Sequence, residues 1–402
     1  MRRTFTILAA AVALAVAAAT QAFADAGFLS WIGRFRGEAL KAGIAARTFD
    51  AVFAGIDAPD PEVIEAANFQ PEFTAKVWEY MDSRITESVV RTGMELKARH
   101  AAWLAAIEKR YGVDRHILLA IWSMESSYGE ALATGKGIRR VARSLATLAY
   151  ANPPRAKFAR TQLLAALRIV ESGDVSAAGL TGSWAGAMGH TQFIPTSYLA
   201  FAVDFDGDGR RDIWTSPQDA IASAANLLRK NGWVSGHAWG YEVSLPAGTG
   251  GALADVSDTI SGWEKRGVRR VRGASFPRPG DKATLKLPAG PGGPAFLVAR
   301  NFSVLKRYNN AEKYALAVGL LADRLAGGPA LARDWPRGYV LLSEEERMEA
   351  QRLLARQGFY DGEIDGKFGP GTRKAAIAFQ TSAGLTADGY PSKTLLDSLK
   401  AR

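Results

Sequence analysis

Glu125 closes an apolar stretch in "LLAIWSMESSYGE", Leu118 to Glu130. On a helix, Leu118, Ile121 and Glu125 fall at i, i+3 and i+7 and share one face. Two environments are open to such a residue. Buried, its carboxyl would be neutral near pH 7 and able to give a proton to a leaving group. Solvated beyond a helix end, it would be an ordinary surface Glu, the commoner fate of this residue type. A second segment, "GSWAGAMGHTQFIPTSY" from Gly182 to Tyr198, sets Gly and Ala around Trp184, Gln192 and Tyr198. Small residues let backbone come close to a ligand, and aromatic and amide groups suit sugar faces and N-acetyl groups. The same composition also makes a tight structural turn. His190, in that loop, reads as a packing or rim residue. A third segment, "DFDGDGRRDIW", spaces Asp204, Asp206 and Asp208 alternately and follows them with Gly209. That is the D-x-D-x-D-G start of an EF-hand-type loop. Arg210 would offer its backbone carbonyl at position seven and Asp212 stands at position nine. Thr215 occupies position twelve, where a bidentate Glu belongs. Four carboxylates this close repel unless a cation sits among them. One hard cation, Ca²⁺, is expected, with a structural role and modest affinity; a solvated acidic turn is the alternative.

The elements that must position these groups are mostly helical from Ala26 to about Asn231. "ELKARHAAWLAAIEKRYG" has apolar residues at helical spacing and stops at Gly112. Asp114 then offers an N-cap for the helix that carries Glu125. Residues 243–300 differ, with "PAGTGG", "PRPGD" and "PAGPGG" around short runs such as "ATLKL" and "AFLVAR". They predict a small β-containing insertion. Helix returns at "EKYALAVGLLADRL". Gly327-Gly328-Pro329 and Trp335-Pro336 then read as a linker between two cores. The last 60 residues predict three short helices separated by two Asp-Gly turns, each followed by Thr, a weak internal repeat.

Export is written into the other end. Met1-Arg2-Arg3, an apolar run from Ile7 to Thr20 and Ala22-Phe23-Ala24 form a cleavable leader followed by Asp25. Cleavage would lower the +10 formal charge by two. The chain has no Cys, which removes disulfides, thiolate metal sites and a lipid-anchored Cys. Ser343 to Arg402 holds nine Lys/Arg against nine Asp/Glu, so the positive excess lies before it. Export argues against nucleic acid as its target. Anionic cell-wall polymers and membrane surfaces lie on the export route. No stretch of the body reads as a membrane span.

The ordered blocks "MESSYG", "GSWAGAMGHTQFIPTSY", "DFDGDGRRDIW", "DAIASAANLL", "NGW" and "RYNNAEKYALAVGLLADRL", with the earlier "NFQPEFTAKVWEYMDSRIT", resemble the B-type lytic murein transglycosylases. The resemblance covers roughly Gly27 to Leu325. The tail resembles a three-helix peptidoglycan-binding domain through "GEIDGKFGPGTRKAAIAFQ" and "GLTADG". The resemblance implies a mainly α (α+β) chain with a lysozyme-like catalytic domain, a small β-containing insertion and a small three-helix wall-binding domain. The expected division is 1–24 leader, 25–326 catalytic domain, 327–342 linker and 343–402 peptidoglycan-binding domain.

The resemblance further implies that Glu125 is the catalytic acid. In the family it protonates the leaving oxygen between N-acetylmuramic acid and N-acetylglucosamine. It then takes a proton from the sugar's own C6 hydroxyl, which closes on C1 as a 1,6-anhydro ring. An ordinary glycosidase needs a second carboxylate; a tethered nucleophile removes that need. Ser183 matches a Ser that bonds the catalytic Glu, Gln192 an amide lining the cleft, and Asn309 and Tyr314 the pair that approaches the reacting sugar. Asp219 resembles a further cation ligand. Asn226-Leu227 stands where the family often has Asn-Tyr, which implies a missing sugar-stacking ring. Implied partners are peptidoglycan glycan strands and, as a further class, other cell-wall enzymes, in the periplasm, with no cofactor needed for the chemistry. A hydrolytic muramidase of the same fold and a non-catalytic wall-binding scaffold are the alternatives.

Overall fold

The computed structural model describes residues 25–68, 76–246, 249, 251–290, 292–337, 342–385 and 387–402. The leader Met1–Ala24 and part of the "NFQPEFTAKVW" block lie outside the described residues. The chain divides into two compact units, one of residues 1–68 with 139–186 and one of 69–138 with 187–402. The first unit is built from two separated segments.

The first unit packs the helices Ala26–Lys41, Ala46–Phe53 and Pro61–Asn68 with Val141–Ala151 and Pro153–Glu171. Its core is aromatic: Phe49 and Phe53 stack with centroids 4.3 Å apart, and Trp31 stacks on Phe35 at 5.2 Å. Arg139 joins the two segments through an ion pair with buried Asp60 at 2.9 Å.

In the second unit, the helix Arg115–Ser126 packs along Glu312–Leu325. Asp114 caps its start as the sequence predicts, accepting from His116 N at 2.7 Å. Ser127, Tyr128 and Gly129 all have positive φ (51°, 58° and 93°). That left-handed run stops the helix one residue after Glu125. The expected insertion is an antiparallel sheet of β1 (Gly240–Ser244), β2 (Ser257–Thr259), β3 (Arg269–Arg270), β4 (Lys282–Lys286) and β5 (Ala295–Val298), in the order β2-β4-β5-β1-β3. Gly240 pairs with Val298, and Thr284 pairs with both Val298 and Ser257. β4 alternates, burying Ala283 and Leu285. β5 is buried throughout, as a strand covered on both faces must be. Leu297 faces Trp263, while Phe296 lies against Trp239 and Trp335.

The tail is three helices, Glu344–Arg356, Pro370–Ser382 and Lys393–Lys400, around Leu354, Ala376, Phe379 and Leu396. The weak repeat is real at atomic level. Gln351 Oε1 accepts from Gly366 N at 2.8 Å, and its Nε2 donates to Asp365 at 3.1 Å. Gln380 does the same for Gly389 N at 2.8 Å and Asp388 at 2.6 Å. Each Asp-Gly turn is thus locked by a buried Gln from the preceding helix.

The linker is not a loose tether. Glu242 accepts from Ala332 N and Arg333 N, Arg272 donates to Ala330 O at 2.6 Å, and Trp335 is 9% exposed. Residues 338–341 of it lie outside the described residues. Gly and Pro signal an irregular path, and an irregular path fastened by side chains has the same composition as a free one.

Candidate active site

Glu125 is half-buried at the C-terminal end of its helix, below fully buried Leu118 and Ile121. The apolar-face geometry therefore holds, with the carboxyl at the rim of the core and not in open water. Tyr314 Oη donates to Glu125 Oε1 at 2.5 Å. Tyr314 is 4% exposed. Its hydroxyl is pushed well above the usual tyrosine range, first by burial and then by the Glu125 charge. It stays protonated and acts as a donor. Tyr308 stacks on Tyr314 with centroids 6.2 Å apart and planes 10° from parallel. Its hydroxyl donates to Thr191 O at 2.6 Å, and burial also raises it well above the usual value.

The loop after Ala187 is held against this helix. Met188 and Phe193 exchange backbone bonds of 2.9 and 3.0 Å. Ser126 Oγ donates to His190 O at 2.7 Å and accepts from Gly129 N at 3.1 Å. Ser126 of the "MESSYG" block, itself fixed by Gly129 N, thus ties the loop to this helix. His190 N donates to Ile213 O at 2.9 Å, and Trp122 Nε1 donates to His190 Nδ1 at 3.2 Å. The ring must be neutral to accept that bond. Burial lowers its pKa to about 4, against a smaller opposite pull from Asp212. His190 is a structural lock, as a packing residue should be.

That depression has a testable sign. The unfolded ring takes a proton near pH 6.5 and the folded ring near 4, so unfolding binds more protons in between. The contribution is complete above about pH 6.5 and is lost as pH falls toward 4. Wild type is expected to lose roughly 2–3 kcal/mol more than His190→Gln between pH 7 and pH 4. Urea midpoints at the two pH values check this; parallel losses would remove His190 from the account.

The other expected residues divide. Gln192 lies in the loop at φ 49°, its Nε2 donating to Gly189 O at 2.9 Å. Asn309 is exposed at the end of the helix Arg300–Tyr308. Ser183 belongs to the other unit, half-buried, its Oγ accepting from Ala185 N at 3.3 Å. Tyr198 is fully buried and donates to Arg211 O at 2.6 Å, so it is a support and not a sugar platform. Leu227 is 5% exposed in the core. Sequence reasoning passed over Tyr308, Thr191 and Ser126. All three lie within the quoted blocks, Tyr308 beside Asn309, Thr191 beside Gln192 and Ser126 beside Glu125, but spacing alone does not show which of them make contacts.

In the acidic loop, carboxylate oxygens of Asp204, Asp206 and Asp219 lie within 4.8 Å of one another. Asp208 and Asp212 stand outside that group. Asp208 pairs with Arg210 at 2.9 Å. Asp212 is buried and accepts from Trp214 N and Thr215 N at 2.9 and 2.8 Å, a turn-capping role. Arg210 is exposed. Alternate spacing brings Asp204 and Asp206 together. The third member comes from the next helix, where fully buried Asp219 accepts from Phe205 N and Asp212 N at 2.8 and 2.9 Å. Burial raises the pKa of Asp219 despite those amides. An all-oxygen set of this kind suits a hard cation.

Two family models match the chain: the transglycosylase SLT domain over residues 27–323 and a peptidoglycan binding domain over 343–399. The chain belongs to the transglycosylase SLT family. Among individual proteins, it is 31% identical over 252 residues to membrane-bound lytic murein transglycosylase B of Escherichia coli (strain K12). That match covers 61% of this chain and 66% of the relative. SltB3 from Pseudomonas aeruginosa, in complex with NAG-anhNAM-pentapeptide, shares 49% identity at a TM-score of 0.86. The alignment covers 94% of this chain and all of that one. The Escherichia coli lytic transglycosylase Slt35 in complex with calcium shares 27% identity at a TM-score of 0.61, over 75% and 93% of the two chains. The lysozyme-like, mainly helical fold with a helical peptidoglycan-binding tail follows from these matches.

Proposed function

We propose that this lytic transglycosylase cuts the bond from N-acetylmuramic acid to N-acetylglucosamine and leaves 1,6-anhydro ends, with Glu125 as its single acid and base. The carrying observation is the Glu125–Tyr314 pair. Tyr314 donates to Oε1, which directs the exchangeable proton to Oε2. That proton passes to the leaving glycosidic oxygen as the C1–O bond breaks. The resulting carboxylate takes the C6 hydroxyl proton, and C6–O bonds to C1. No water enters, and Glu125 ends protonated as it began. Tyr314 offers the developing carboxylate a donor already in place. Gln192 and Asn309 are proposed to position the sugars.

Mass spectrometry of muropeptides released from purified sacculi tests this. Anhydro ends support it; reducing ends, heavier by one water, would make the protein a hydrolytic muramidase. Binding to sacculi without any cleavage product would make it a non-catalytic scaffold. The site of action is proposed to be the periplasm. Among the described residues, no helix is long and apolar enough to cross a membrane. Other cell-wall enzymes are proposed as partners of second rank.

Asp204, Asp206 and Asp219 are proposed to hold one Ca²⁺ that braces the loop and takes no part in bond cleavage. The calcium complex of the Escherichia coli relative supports this reading. Binding to the folded state alone stabilises by about 2.7 kcal/mol at a hundredfold excess over Kd. Thermal melts should shift upward with added Ca²⁺ in wild type and in Asp208→Ala, and not in Asp204→Asn with Asp206→Asn. A double variant that still responds would place the cation elsewhere.

A further inference from the structure

A cavity of about 670 Å³ lies between the sheet, the helix Glu312–Leu325 and the linker, within the size range of small-ligand sites. Met81, Ile85, Leu320 and Leu331 give it an apolar lining. Its linker side is fixed in advance, because Glu242 accepts from the amides of Ala332 and Arg333 and Arg272 donates to Ala330 O. Its described lining residues include neither Glu125 nor Tyr314. Two polar side chains lie deepest in the argument, Asp323 and Arg270. Trp239 Nε1 is 3.2 Å from both oxygens of Asp323, so one N–H serves the whole carboxyl. Gly319, one turn earlier, makes that approach possible, since a Cβ there would lie 2.4 Å from the indole. Among the described residues, no other hydrogen bond or ion pair reaches the Asp323 side chain.

Arg270, on β3, lies over the Tyr241 ring at 4.9 Å and donates to Ser275 O at 2.6 Å. Its charge acts on Asp323, yet the two form no ion pair. A carboxyl and a guanidinium that share a cavity without touching leave room for a group between them. The other charges around the cavity are used or offset. Arg337 pairs with Asp82, Arg324 pairs with Glu87, and Glu242 and Arg272 hold linker backbone. Arg333 and Asp334 are exposed neighbours of opposite sign. Asp323 is reached through the cavity, but protein surrounds it, and that burial raises its pKa to about 7 against the Trp239 bond. Asp114, at the start of the Glu125 helix, adds to the rise, while Arg270 and His116 oppose it. Near neutrality the carboxyl therefore keeps its proton about half of the time, and a protonated carboxyl is a donor.

We propose that this cavity binds a small organic carboxylate with an apolar body, held between the Arg270 guanidinium and the carboxyl of Asp323, apart from the cleavage site. The guanidinium donates to the ligand carboxylate in a charge-assisted bond. The O–H of Asp323 donates to it as well, so the two carboxyl groups share one proton. Met81, Ile85, Leu320 and Leu331 cover the apolar body. Binding therefore takes up a proton wherever Asp323 is ionised beforehand, and affinity falls as pH rises past about 7.

The Trp239 indole N–H bonds Asp323 and so reports on the site. Its NMR resonance, assigned through Trp239→Phe, is followed in the full chain with phenylacetate and with phenylacetamide, which has the same shape and no charge. Without ligand the resonance should titrate near pH 7. Saturating phenylacetate should raise that midpoint by about two pH units, and phenylacetamide should leave it in place. The affinity for phenylacetate should fall about 10-fold between about pH 6 and about pH 8 in wild type and stay level in Asp323→Asn. Arg270→Gln should weaken it about 10-fold at both, the equivalent of one charge-assisted contact. Equal binding of acid and amide overturns the proposal, and that comparison needs only the wild-type protein. It is also overturned if phenylacetate at about 10 mM leaves the Trp239 signal unmoved, or if neither variant changes the binding.

Discussion

Glu125→Gln is expected to lower kcat on peptidoglycan by at least about 10³-fold while saccharide binding stays within a few-fold. General acid–base catalysis contributes roughly 10²–10⁴-fold for one proton transfer, and here one group performs two. Gln keeps the volume and can still accept from Tyr314 through its carbonyl oxygen, so the 2.5 Å contact has a substitute and the fold is preserved. It has no proton to give to a leaving oxygen. Turnover measured by released muropeptides, beside the Kd for a tetrasaccharide, separates chemistry from binding. A variant with near-normal kcat would remove Glu125 from the mechanism.

Gly189→Ala is expected to combine a large stability loss with a large activity loss. Gly189 sits at φ 67°, and a Cβ there would lie 2.3 Å from Ile213 O. That oxygen is held in place, since it accepts from His190 N at 2.9 Å. A left-handed non-glycine residue costs about 1–2 kcal/mol, and forcing extra atoms into packed structure costs about 1–3 kcal/mol more. The loop must move, and it carries Thr191, which accepts from Tyr308, and Gln192. A displacement near 1 Å at a reacting centre costs on the order of 10² in rate. A melting temperature several degrees lower together with kcat/KM reduced about a hundredfold would fit. An unchanged melt would mean the loop absorbs the methyl without moving.

Much of the site could be read in advance where its logic is local. The apolar spacing around Glu125 and the Asp114 cap are short-range, because a helix repeats every 3.6 residues and its ends need nearby partners. The acidic loop was legible in the same way for Asp204 and Asp206. It does not show that the Asp208 carboxylate pairs with Arg210 or that the Asp212 carboxylate accepts from backbone amides. Equal spacing in sequence does not separate a ligand from a capping group. Composition likewise cannot show that Glu242 and Arg272 fasten the Gly/Pro-rich segment before the tail.

By itself, the sequence determined which carboxylate ends the apolar helix, where that helix starts, that a sheet interrupts the helices, and that the tail is a repeat of two Asp-Gly turns. Each rests on interactions within a few residues. Only the tertiary structure decided that Tyr314 meets Glu125 across 189 residues, that Tyr308 reaches Thr191 across 117, and that the tail is seated on the sheet insertion through Tyr390 and Arg373. Such contacts leave no spacing in the chain. They arise when buried hydroxyls and carboxylates from distant helices must satisfy one another, because an unpaired polar group in the interior costs more than the fold can spare.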